Sequence, residues 1–164
     1  MATNGKNKGN GFERKIANAL SLRFEDYTGK PKSFMRSPSS GSYYGGTNVA
    51  RIETHNTEFA VYGDIICPRA FNFSIECKHY KTAPSFQSII SHHVTQWDGW
   101  LIQANQDAKT ANKRLLLIIK YNNVDEVVFL TERLPIEHNY SKYKNYYIYR
   151  FIDFLECDNS YFFN

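Results

Sequence analysis

Asp64, Glu76 and Lys78 are two carboxylates and an amine spaced so that a sheet can gather them. The stretch FNFSIECKHYK, residues 71–81, sorts into two alternating rows. Phe71, Phe73, Ile75 and Cys77 form one, and Asn72, Ser74, Glu76 and Lys78 the other. Alternate residues of a strand point to opposite faces, so the pattern predicts an amphipathic strand whose polar row is exposed. Upstream, Gly63-Asp64 opens a second short strand, Ile65-Ile66-Cys67, and Pro68-Arg69 turns the chain. The expected hairpin puts Asp64 beside Glu76. Two neighbouring carboxylates repel one another unless something offsets their charge. A hard divalent cation does so through oxygen ligands, here Asp64, Glu76 and the backbone carbonyl of Cys77. Lys78 would then orient or deprotonate the attacking water, a pattern suited to metal-assisted hydrolysis. The plainer alternative makes Glu76 and Lys78 solvated partners on a wet sheet face and Asp64 an ordinary turn residue.

Several elements must hold this group. Residues 1–10, rich in Gly, Asn and Lys, are expected to form a flexible basic arm. Phe12, Ile16, Ala19, Leu20 and Phe24 recur at helical spacing from Gly11 to about Phe24. SPSSGSYYGG, 37–46, reads as a loop, and 42–62 as an insertion with edge-strand character near Val61-Tyr62. Ser85 is the expected N-cap of one long helix reaching about Ala108. LLLIIKY, 115–121, is a continuous apolar run, as in a strand covered on both faces, with EVVFLT, 126–131, as its hairpin partner. A further strand is expected at Tyr146–Phe151, within an aromatic-rich extension from about 132. The order predicts a single α/β domain over 11–164 with a mixed central sheet flanked by helices.

The 164 residues are 42% hydrophobic and 22% charged, ordinary for a globular domain. No apolar run approaches the ~20 residues of a membrane span, and the polar start lacks a signal core, so an intracellular protein is expected. Cys67, Cys77 and Cys157 suit neither a disulfide framework nor a zinc site. Residues 1–36 hold eight basic against three acidic side chains, whereas the rest holds twelve against thirteen. That asymmetry points to a polyanion-binding end, with Lys6, Lys8, Arg14 and Lys15 as sequence-independent phosphate contacts. His92-His93 point about 100° apart on a helix and make a poor joint metal site. Trp97 and Trp100 suit core or dimer contact.

The motif GD-(x)11-ECK, Gly63 through Lys78, resembles the signature of the PD-(D/E)XK nuclease superfamily, with glycine where the namesake has proline. The resemblance implies a restriction-endonuclease-like core and a Mg²⁺-dependent DNA endonuclease, with Mn²⁺ substituting. It implies a further acid from the preceding helix, here Glu13. RSPSSG, 36–41, is similar to a loop of archaeal-type Holliday junction resolvases. In that family the serine, here Ser40, lies near the active site, and Arg36, Ser37, Ser39, Ser40 and Gly41 would cradle the DNA backbone. The helix after the hairpin often carries a glutamine near its middle, here Gln96, and the order of elements is similar to RecU-type resolvases. Two symmetric cuts in a junction imply a homodimer, and a phage- or intron-encoded origin fits a small stand-alone nuclease. The alternatives are a sequence-specific restriction or homing endonuclease, which also forms dimers or higher oligomers, and a non-catalytic DNA-binding protein on the same fold.

Overall fold

The computed structural model describes residues 3–37 and 59–164, with side chains from Asn7 in the first segment and Gly63 in the second. Helix α1, Thr3–Arg23, carries Phe12, Ile16 and Leu20 on one buried face at four-residue spacing. It starts well before Gly11, so the segment expected as a flexible arm is helical from Thr3. Its polar composition gives no reason for this, but its contacts do. Lys8 Nζ donates to Asn122 Oδ1 at 3.0 Å, and Asn10 Oδ1 accepts from Arg36 at 2.7 Å. Tertiary partners thus hold turns that propensity alone would leave frayed. A short helix α2, Glu25–Thr28, stops at Gly29, whose φ of 64° is left-handed.

Three short strands follow: β1, Met35–Arg36, β2, Phe59–Tyr62, and β3, Ile65–Pro68. They form an antiparallel sheet in the order β1-β3-β2. Strand β4, Phe73–Tyr80, belongs instead to a second sheet. From β4 the chain passes through α3, Phe86–Ile90, and α4, Thr95–Ala111, to β5, Arg114–Tyr121. Strands β6, Val127–Leu130, β7, Ser141–Tyr143, and β8, Tyr146–Arg150, complete five strands ordered β4-β5-β6-β8-β7. β4 and β5 run parallel, as the intervening helices require, and the other pairs are antiparallel. Two short helices, α5, Phe151–Leu155, and α6, Asn159–Phe162, end the chain. The fold is α/β with a mixed five-stranded sheet flanked by helices, consistent with a restriction-endonuclease-like core.

The expected hairpin of β3 and β4 is not a ladder. The two strands lie in different sheets, linked by one isolated bridge between Gly63 and Ile75. The expected helix 85–108 is also two helices. Ser85 does cap α3 by accepting from Ser88 N, but the chain breaks over Ser91–Val94, where His92 adopts φ 55°. The buried Tyr143 hydroxyl accepts from Val94 N at 2.9 Å and lies 3.2 Å from His92 O. Tyr143→Phe is therefore expected to cost about 1–3 kcal/mol by stranding that amide, read as a lower urea midpoint at unchanged slope.

Both sheet faces are covered. Leu116 and Ile118 of β5 face α1, whereas Leu115, Leu117 and Ile119 face Trp97, Leu101, Ala104 and Ala108 of α4. Trp97 is core, its Nε1 donating to Tyr121 Oη at 2.8 Å. The aromatic C-terminal segment is integral rather than appended. Phe154 and Phe162 are fully buried, and Phe162 meets Phe24 edge-on at 4.8 Å. Most consequential is the polar row leading into and along β4: Asn72, Ser74 and Glu76 are buried rather than solvent-facing. Alternation marks which side chains share a face, but α4 packs over that face and makes it dry.

Candidate active site

β4 is the edge strand of its sheet, so alternate backbone groups point away from β5 and need partners. The Gly63-Asp64 segment supplies them. Asp64 N donates to Ile75 O at 2.8 Å, and Asp64 Oδ2 accepts from Cys77 N at 2.9 Å. Within a strand residue, N–H and C=O point to the same side, which puts the Cys77 carbonyl on this edge as well. Gly63 makes the approach possible. Its φ is +73°, and a Cβ there would stand 2.2 Å from Ile75 O. The proline of the namesake motif could not adopt this conformation. Gly63→Ala is expected to destabilise the fold by more than about 2 kcal/mol and to displace Asp64. Chemical denaturation and the Cys77 amide resonance would register both effects.

Glu76 is 3% exposed, and its Oε1 stands 2.6 Å from Lys78 Nζ. Lys78 Nζ also donates to Gln103 Oε1 on α4 at 3.4 Å. From the opposite face of the sheet, α1 brings Glu13, also buried, whose Oε2 accepts from Arg36 Nε at 2.6 Å. Ser37 N donates to Asp64 O at 2.9 Å, tying the start of the RSPSSG loop to the same segment.

The electrostatics follow from the crowding. Burial pushes the Asp64 carboxyl up to about 7, reinforced by the Glu76 charge, opposed by the Cys77 N–H, and raised further by Glu13. Burial also raises Glu76, although the Lys78 ammonium pulls the other way. For Lys78, burial works to lower the value, but its pairing with Glu76 wins and holds it above an ordinary lysine. Asp107, four residues beyond Gln103, is raised by burial while Lys78 opposes. Burial and the neighbouring charge of Glu76 oppose ionisation of Asp64, a strain that either a proton or a cation relieves. Asp64, Glu76, Glu13 and the Cys77 carbonyl offer oxygen donors, the type that hard divalent ions take.

Glu13, Asp64, Glu76 and Lys78 are thus near enough to act on one another's charge, with Glu76 and Lys78 in direct contact. Gln96 lies in the first turn of α4, and Gln103 is the glutamine that meets Lys78. The shift has a simple cause: 96 is the middle of a helix spanning 85–108, whereas 103 is the middle of the observed 95–111. Gln103 and Asp107 are the site neighbours that sequence reasoning missed. Their four-residue spacing on one helix face was the available signal. Lys15 is paired with Glu126 at 2.5 Å, which Lys120 also meets at 3.2 Å, and Arg14 is exposed. Ser37 is buried. Ser39, Ser40, Gly41, the Lys6 side chain and insertion residues 42–58 lie outside the described residues.

A family model described as "Phage putative PDDEXK endonuclease" matches residues 4–162. Comparison with curated proteins and with solved structures gives no match. Among the described residues, no helix is long and apolar enough to cross a membrane.

Proposed function

The chain belongs to the phage PDDEXK endonuclease family, and from that premise we propose that it is a metal-dependent endonuclease hydrolysing DNA phosphodiester bonds, with four-way junctions as its substrate. Nucleases of this superfamily generally use divalent metals. The observation that carries the reading is the group of buried carboxylates, Glu13, Asp64 and Glu76, beside the Lys78 ammonium. Asp64, Glu76, Glu13 and the Cys77 carbonyl would hold Mg²⁺, or Mn²⁺ in its place, which supplies Lewis acidity at the scissile phosphate and acidifies a water. Lys78 is held charged by Glu76, so its part is to orient the attacking water and offset phosphate charge rather than to accept a proton. Gln103 steadies the ammonium from α4. Arg36 holds Glu13 in place, and Lys8, Arg14, Lys15 and Lys120 supply a basic field for the DNA backbone.

Junction preference is supported by the resolvase-like loop and by the bond from Ser37 N to Asp64 O that ties it to the site. Base reading by the aromatic tail, which would favour sequence-specific cleavage, is hard to reconcile with Phe154 and Phe162 in the core. Because a junction takes two symmetric cuts, the working unit is a two-fold homodimer. The test is incubation with Mg²⁺ and labelled four-way junction, linear duplex or single strands, with light scattering on the same sample. A dimer making paired cuts only in the junction is expected. Cuts at one duplex sequence would replace the resolvase by a specific endonuclease, and binding without metal-dependent cleavage would remove catalysis altogether.

A further inference from the structure

At the far end of β3 and β4 from Asp64 and Glu76, a cavity of about 340 Å³ opens beside the Pro68–Ala70 turn. One wall is an aromatic stack: Tyr27 lies on Phe163 with ring centroids 4.5 Å apart, and Tyr27 remains 52% exposed. Lys30 and Arg69, both exposed, line it as well. So does Ser33, which is 1% exposed and whose hydroxyl has no hydrogen-bond partner among the described residues. Buried hydroxyls are rarely left unpaired, and no described residue satisfies this one.

Each feature suits part of one chemical unit. A flat aromatic stack suits a nucleobase, whichever base it is. The exposed Arg69 guanidinium suits a phosphate. The Ser33 hydroxyl is itself buried, so it meets a base edge or a sugar oxygen only after its side chain turns toward the cavity. The volume is at the lower end of small-ligand sites, about 300–1,000 Å³, which admits a single nucleotide and excludes a duplex. We propose that this cavity binds one nucleotide, either free or at an unpaired strand end. The strand-end form rests on the endonuclease reading; nucleotide binding as such does not.

The experiment is a titration of uniformly ¹⁵N-labelled protein with dAMP in EDTA, so that cleavage plays no part. Amide shifts are expected at Tyr27, Ser33, Arg69 and Phe163, with deoxyadenosine and inorganic phosphate each binding more weakly than dAMP. Arg69→Ala, an exposed change that leaves the core intact, and Tyr27→Leu should each weaken dAMP at least about five-fold, as loss of a charged hydrogen bond or a stacking face would. Shifts confined to the Glu76 end, dAMP binding no tighter than phosphate, or variants that bind as well as the parent would each overturn the proposal. Competition separates the sources. A duplex with a single-nucleotide overhang displaces dAMP where a blunt duplex does not if the ligand is a strand end, and neither displaces it if the ligand is the free nucleotide. An absence of cleavage elsewhere would sink the nuclease reading and leave this result standing.

Discussion

Asp64→Asn is expected to lower cleavage by at least about 10²–10³-fold and, in the same protein without metal, to increase stability above pH 7. The two effects share a cause. Asp64 is buried next to Glu76 and Glu13, and its folded value of about 7 lies well above the ordinary 3.8. An acid whose value is raised by folding favours the folded state below the ordinary value. That advantage is lost as pH climbs from about 4 through about 7. Asparagine keeps an oxygen that can accept from Cys77 N and carries no charge to desolvate. In EDTA the variant should match the parent near pH 4 and exceed it at pH 8 by on the order of a few kcal/mol. Mg²⁺ should stabilise the parent at pH 8 and leave the variant unmoved. Urea melts at the two pH values, with and without Mg²⁺, read all of this. Equal stability of parent and variant at pH 8 would mean that the carboxylate is not strained.

Lys78→Met should separate chemistry from metal binding. Lys78 Nζ lies 2.6 Å from Glu76 Oε1 and has no carboxylate function of its own to lend a cation. Its removal is expected to cost roughly 10²–10³ in single-turnover rate, the range for losing one donor that stabilises developing charge. It also leaves Glu76 buried without its ammonium, which drives that carboxyl further up and destabilises the metal-free protein at pH 8. A divalent ion can replace the lost charge, so the thermal shift on adding Mg²⁺ should be larger for the variant than for the parent. A variant that loses the Mg²⁺ shift together with cleavage would instead make Lys78 part of the metal cage. A variant that cleaves normally would remove it from the mechanism.

The site and the fold were legible to different depths. The apolar run 115–121 read correctly as a strand buried on both faces, because only such a strand tolerates continuous apolar side chains. The E-x-K spacing put Glu76 and Lys78 on one face, because strand periodicity is local. Asp64 was paired with the right strand but by the wrong geometry, since a turn in sequence does not reveal whether its two arms share a sheet. The helix break at 91–94 left no local signature strong enough to read. Its backbone groups are satisfied by Tyr143, some fifty residues away in the chain, and that distant bond displaced the expected glutamine from 96 to 103.

The sequence by itself determined the chemistry on offer: two acids, an amine, their spacing, a basic first 36 residues, and a glycine just before Asp64. Those are properties of residue type and short-range spacing, which the chain carries wherever it goes. Only the tertiary structure decided that the polar row of β4 is dry. It also decided that Glu13 arrives from the opposite face and that Gln103 and Asp107 stand over Lys78. Burial and cross-sheet approach depend on which helix covers which strand. In this chain they turn an ordinary pair of carboxylates into one whose ionisation burial opposes.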